Sequence, residues 1–293
     1  MADEVDGSSC LCFVNSIPMC KNFLILICIV AAFNTASAQA DKTDELYQEA
    51  RKLRREGKCE AAVPVFKQMI ERKPTMAAAY YELGWCYNEL EQYDSALVAL
   101  TNARKLDPTN FRIIYEAGFA KYKLGKVNEA LADFNQVIKQ NASYNKAYIA
   151  RGDLYKDAQK KTALALADFL KALSLDSTES KIHYRIGWCY NDLGQFNEAV
   201  PYLQKAIGFE EQNYLSYSEL GFSLFSLNRM DDALARLNKA NELKPGFETT
   251  VYYIGMCQVK QNKKAEAVQK YNELVQLNSR YAALLLNEIK LMK

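Results

Sequence analysis

Histidine is almost absent from this chain: His183 is the one imidazole in 293 residues. Proton shuttling and imidazole metal ligation are thinly provided for. No Ser/His/Asp or Cys/His arrangement, phosphate-binding glycine loop or acidic metal cluster takes their place, so catalytic residues, a metal and a cofactor are all expected to be missing. The eight cysteines contain no CxxC pair, which supports neither a zinc site nor a disulfide framework. Neither sign of charge dominates. The chain carries 37 basic and 35 acidic residues, a net +2, and +4 without residues 1–40. Mixed signs along the chain give no case for a nucleic-acid partner. Long apolar runs are scarce as well. Phe23 to Phe33 is unbroken but only eleven residues long, too few for an ordinary membrane-spanning helix.

What remains is ordinary globular material, 49% hydrophobic and 25% charged, long enough to bury a large apolar surface. The eleven-residue run follows Lys21 and precedes Ala36-Ser37-Ala38, a small-x-small cleavage signature. That order is a secretory signal peptide, with cleavage after Ala38 and a mature chain from Gln39. Translation is expected to start at Met19, because the acidic residues 1–18 are unusual ahead of a positively charged segment. Two other readings stay open: an uncleaved anchor, and lipidation at Cys28, where Ile25-Leu26-Ile27 is bulkier than such processing favours. The localisation expected is periplasmic, cell-envelope or secreted.

The body repeats. Gly84-Trp85-Cys86-Tyr87-Asn88-Glu89-Leu90 returns as Gly187-Trp188-Cys189-Tyr190-Asn191-Asp192-Leu193. Gly84, Gly118, Gly152, Gly187, Gly221 and Gly255 mark intervals of 34, 34, 35, 34 and 34 residues. A fixed period in this range signifies a stacked array of repeats. Around Gly84, Tyr80, Leu83, Tyr87 and Leu90 form one helical stripe, and after a turn at Glu91-Gln92 a second helix presents Ala96, Leu100 and Ala103. Asp107-Pro108 ends it, since proline cannot continue a helix and displaces the residue before it from αR. A lone helix pair cannot bury its apolar face, so neighbours must stack. Cys86, Cys189 and Cys257 each follow a repeat glycine by two residues and are expected to be small buried apolar side chains.

These residues resemble the tetratricopeptide repeat. Residues 77–110 carry Leu83, Gly84, Tyr87, Tyr93, Ala96, Leu100, Ala103 and Pro108 of its pattern. Weaker copies follow at 111–144, 145–179 (with one extra residue in the Lys156–Thr162 turn), 180–213, 214–247 and 248–281. Residues 43–76 are a degraded first copy in which Ala50 replaces the glycine, and 282–293 form a C-terminal capping helix. The resemblance implies an all-α fold: a right-handed α-α superhelical solenoid of stacked helix-turn-helix repeats. Residues 39–42 precede the array, and no other domain remains.

In proteins of this kind the first helix of each pair lines a concave face. The positions three before, one after and four after each glycine form a second stripe pointing away from the core. It includes Tyr81, Trp85 and Asn88; Tyr115, Phe119 and Tyr122; Tyr184, Trp188 and Asn191; Phe222 and Phe225; and Tyr252. Ile149, Asp153, Lys156 and Ser218 fill further places in it. Aromatic rings interleaved with amides suit an extended peptide or a partner helix, while packing against the next repeat is the competing use of the same stripe. Members that grip a terminal carboxylate place Asn where this chain has Trp85 and Trp188, so that activity is not implied. His183 is expected to be packed and hydrogen-bonded, and Lys156, Lys160 and Lys161 to form a solvated turn. Asn141-Ala142-Ser143 is a glycosylation sequon. The function expected is a non-enzymatic scaffold for a protein or peptide partner in the cell envelope or outside the cell, with peripheral association to an envelope complex open. The alternative is a glycan- or cell-wall-binding module using the Trp and Tyr platforms.

Overall fold

A computed structural model of the chain describes residues 43–177 and 180–292. The leader, its cleavage site, Met19 and Cys28 lie outside the described residues. Fifteen helices and no strand occur among the described residues. Helix α1 covers residues 43–55, and α2 is Cys59–Arg72, α3 Ala77–Glu89 and α4 Tyr93–Leu106. These form one compact unit, ending at Thr109. A second unit begins at Asn110. It holds α5 (Phe111–Lys123), α6 (Val127–Gln140), α7 (Asn145–Asp157), α8 (Thr162–Leu175), α9 (Ser180–Asp192) and α10 (Phe196–Phe209). It continues with α11 (Tyr214–Ser226), α12 (Met230–Leu243), α13 (Glu248–Lys260), α14 (Lys264–Gln276) and α15 (Tyr281–Lys290). Helices pack as consecutive pairs, and within the second unit each pair packs on the next. This is the all-α class of stacked helix-turn-helix repeats.

The recurring glycine is where the two helices of a pair touch. A Cβ built on Gly84 would lie 2.5 Å from Leu100 Cγ, on Gly152 2.6 Å from Phe169 Cε1, on Gly187 2.5 Å from Leu203 Cγ and on Gly221 2.5 Å from Leu237 Cγ. No real Cβ tolerates such distances, so the absent side chain lets the second helix insert a large residue, fully buried, against the first helix. Ala96, Ala103, Ala130, Ala165, Ala199 and Ala233 are all fully buried at the same crossings. Cys86, Cys189 and Cys257 are buried free thiols. Burial pushes the Cys189 and Cys257 thiols up to about 12, and thiols so disfavoured as thiolates are inert packing groups.

Between the helices of a pair the chain must pass through the left-handed region. Gly57, Gly125 and Gly194 do so at φ +74°. Glu91, Lys160, Asn228 and Asn262 occupy the equivalent turns at φ 58°, 53°, 59° and 58°. The turn closes with a hydrogen bond from the third residue beyond the helix to a carbonyl five back, as in Gln92 N to Tyr87 O (2.8 Å) and Lys126 N to Lys121 O (2.9 Å). In the turn with the extra residue the bond spans six, from Lys161 N to Tyr155 O (2.9 Å).

Candidate functional site: a cavity pair on the first helices of the second unit

Two adjoining cavities lie on the first helices of the second unit. The larger, about 550 Å³, is walled by Phe119 and Tyr122 of α5, Asp153, Lys156 and Asp157 of α7, and Tyr184 and Arg185 of α9, with Asn213 ahead of α11. The smaller, about 180 Å³, is walled by Trp188, Asn191 and Asp192 of α9, Ser218, Glu219 and Phe222 of α11, Thr249 and Tyr253 of α13, and Tyr281 of α15. Tyr184 and Trp188 face one cavity each and are four residues apart, about one helical turn or 5.4 Å. The cavities are therefore neighbours along α9.

Polar bonds one repeat apart tie this face together. Arg185 donates through Nε to Asp153 Oδ1 (2.8 Å) and through an Nη to Oδ2 (2.9 Å). Tyr122 Oη donates to Asp157 Oδ2 (2.8 Å). Burial, and then this bond to a carboxylate, raise the Tyr122 hydroxyl above its ordinary 10. Asn191 Nδ2 donates to the Glu219 backbone oxygen (3.0 Å) and to Glu219 Oε2 (2.8 Å), while Asn191 Oδ1 accepts from Ser223 Oγ (2.6 Å). Burial drives the Glu219 carboxyl above its ordinary 4.5, and the Asn191 bond partly opposes that rise. Lys156 Nζ lies 5.1 Å from the Trp188 ring centroid and 3.2 Å from Asp157 Oδ1.

Of the residues read from the sequence, Phe119, Tyr122, Tyr184, Trp188, Asn191 and Phe222 come together at these cavities. Others go into packing. Tyr115 meets Tyr144 edge-on at 5.2 Å, Phe225 lies 5.4 Å from Tyr253, and Tyr252 stacks on Tyr281 at 5.0 Å. In the first unit Trp85 lies under the Arg54 guanidinium at 4.7 Å. That unit's cavity, about 390 Å³, forms on another side of α3, with Tyr80, Leu83, Tyr87, Ile70 and Val98 in its wall.

Three expectations need correction. Asn88 and Asn191 were to offer amides to a partner, but they are only 4% and 5% exposed. The Asn191 amide is saturated by the next repeat, because i+4 and i+7 from a groove position already turn toward the neighbouring first helix. His183 is 5% exposed and stacked on Phe209 at 5.4 Å, yet its Nδ1 has no hydrogen-bond partner. Lys156 belongs to the end of α7 and the cavity wall, while Lys160 and Lys161 form the turn.

Sequence reasoning missed Glu219, Arg185, Asp157, Tyr253 and Tyr281. For Glu219 a signal exists: Glu82, Glu116 and Glu219 each stand two residues before a repeat glycine, an acidic residue recurring inside an apolar stretch. No group of three or more His, Cys, Asp or Glu suited to a metal ion occurs among the described residues. No helix among them is long and apolar enough to cross a membrane.

Paired helices, a glycine at six successive crossings and a surface cavity on the first helices define an α-helical repeat protein. The chain belongs to the tetratricopeptide repeat family: the family's profiles match residues 77–110, 115–180, 180–213 and 250–279. It is similar to human tetratricopeptide repeat protein 6, at 25% identity over 190 residues, covering 63% of this chain and 36% of the relative. It is also similar to the BBSome complex member BBS4 of Bos taurus, at 25% identity over 230 residues, with 74% and 42% covered. The chain thus spans less than half the length of these curated relatives. Among solved structures, YrrB, described as a TPR protein with an unusual peptide-binding site, superposes with a TM-score of 0.58 at 21% identity, covering 65% of this chain and 98% of that one. Pseudomonas aeruginosa pilF gives 0.63 at 15% identity, with 72% and 97% covered. At these identities the likeness shows the fold alone. Proteins of the family mediate protein–protein interaction, on a scaffold that is generally non-catalytic.

Proposed function

We propose that the protein is an exported, non-enzymatic scaffold that holds a peptide segment of a partner on the first helices of its second unit. The observation that carries this reading is the pair of adjoining cavities sharing α9, with Tyr184 on one and Trp188 on the other. Rings offer large contact area at low entropy cost, and the surrounding carboxylates and cations can satisfy a peptide backbone. A neighbour in fold is described as peptide-binding, which agrees in kind. Export rests on Lys21, the apolar run Phe23–Phe33 and Ala36-Ser37-Ala38, and places the partner in the envelope or outside the cell, where peripheral attachment to an envelope complex fits a chain of this design.

Selection of peptides from a random display library against the chain tests the reading. Enrichment of a shared motif is expected, with binding of the winning peptide weakened at least tenfold by Trp188→Ala or Phe222→Ala while helical content is kept. Absence of any enriched motif would end the peptide reading. Displacement of the winning peptide by soluble oligosaccharide would favour a glycan-binding module instead.

A further inference from the structure

The smaller cavity has a chemistry of its own. Four aromatic rings, those of Trp188, Phe222, Tyr253 and Tyr281, surround it together with the carboxylates of Glu219 and Asp192. No lysine or arginine among the described residues lines it. Glu219 accepts from the neutral Asn191 amide and has no salt-bridge cation among the described residues. The rings in this region already attract cations: Lys156 Nζ lies 5.1 Å from the Trp188 centroid and the Arg280 guanidinium carbon 5.1 Å from that of Tyr281. Neither of these cations lines the cavity. Ring faces carry negative potential and bind cations most strongly where water is displaced. A partly buried carboxylate without a countercharge, as Glu219 is, gains from any cation brought beside it.

We propose that this cavity takes a basic side chain, arginine or lysine, of the segment held on the first helices. The proposal rests on the peptide-binding reading for its occupant, and on the cavity's own residues for its charge. At about 180 Å³ the space suits such a group: it holds about six waters' worth of volume, close to the seven or so heavy atoms of an arginine side chain. One turn of α9 away, the larger cavity has the opposite bias, with Lys123, Lys156, Lys181 and Arg185 facing Asp153, Asp157 and Glu210. A segment crossing both would carry its positive charge at the Trp188 end.

The full chain, expressed with its own leader and labelled with 5-fluorotryptophan, gives two fluorine resonances, one for each tryptophan. A Trp188→Phe spectrum assigns them. N-acetylargininamide is expected to shift the Trp188 resonance saturably, and its neutral isostere N-acetylcitrullinamide to bind at least tenfold more weakly. Glu219→Gln, which keeps an acceptor for Asn191, should weaken argininamide binding about tenfold and leave the citrulline compound unaffected. Equal responses to the two compounds, no response to either, or indifference to Glu219→Gln would overturn the proposal. Display-selected peptides complete the test. Binding with a required Arg or Lys supports the inference. Binding without such a requirement refutes it while leaving the peptide reading intact. Argininamide binding with no selectable peptide assigns the cavity to a small free cation and refutes a side chain of a partner as occupant.

Discussion

At the scale of single residues, the glycines of the period have one physical task. Gly187 is bare because Leu203 occupies the space its Cβ would need, at 2.5 Å. Gly187→Ala should cost about 1–3 kcal/mol through overpacking, and the loss should be smaller in a Leu203→Ala background, where the space is empty. Urea unfolding of the four species forms the double-mutant cycle, and strict additivity would contradict the contact. The turn residue Glu91 carries a different strain, φ 58°, which an L side chain adopts at a cost of about 1–2 kcal/mol. Glu91→Gly should therefore raise stability, by about 0.5–1 kcal/mol once the added chain entropy is counted. His183 offers a titration free of overlap, being the only histidine. Burial, with the Lys205 ammonium adding to it, holds its pKa below the ordinary 6.5. A depressed folded pKa means that its contribution to stability is complete above 6.5 and is lost as the pH falls through the folded value. NMR titration of the single imidazole should show a midpoint below 6.5.

Residues also mark where sequence reading succeeds and where it stops. The period, the crossing alanines and the buried cysteines are legible because every repeat poses the same packing problem. Asn88 and Asn191 were misread because a stripe drawn on one helix does not show the neighbour. Asn191 meets Glu219 and Ser223 of α11, residues 28 and 32 positions further along the chain.

At the scale of elements, the last pair shows what stacking requires. Where earlier pairs place a leucine or phenylalanine over the glycine from their own second helix, the space over Gly255 is filled by Leu285 of α15, 2.5 Å from the built Cβ. Tyr271 holds the equivalent place in α14 and is half-buried. Helix α15 is thus a cap that supplies a missing core residue, packed with Val251, Leu274 and Ile289. Leu285→Ala should cost about 2–5 kcal/mol, and hydrogen exchange should locate the loosening in α13 and α14. A capping helix was readable from the leucines after 282. Its exchange of roles with α14 was not, because that depends on which side chain reaches the glycine. First helices are joined in turn by polar contacts about one period apart, such as Arg185 to Asp153 and Thr250 Oγ1 to Ser218 Oγ (2.9 Å). These contacts occupy part of the stripe that was read as a groove, and what they leave open is the cavity pair.

At the scale of the whole molecule, the proposed binding site is a surface that no single helix displays. Three first helices, α5, α9 and α11, bring Phe119, Tyr122, Tyr184, Trp188 and Phe222 to one face of the second unit. Aromatic recurrence at a fixed offset made that face legible. Its charge pattern was not, because Glu219, Arg185 and Asp157 acquire their meaning only from neighbours one repeat away. The central claim is that a partner segment lies on this face. Hydrogen exchange of the full chain with and without a saturating display-selected peptide tests it directly. Protection is expected in α5, α7, α9 and α11, strongest in the second half of α9 around Trp188. Protection confined to the second helices α6, α8, α10 and α12, or to the first unit around Tyr80 and Val98, would contradict it.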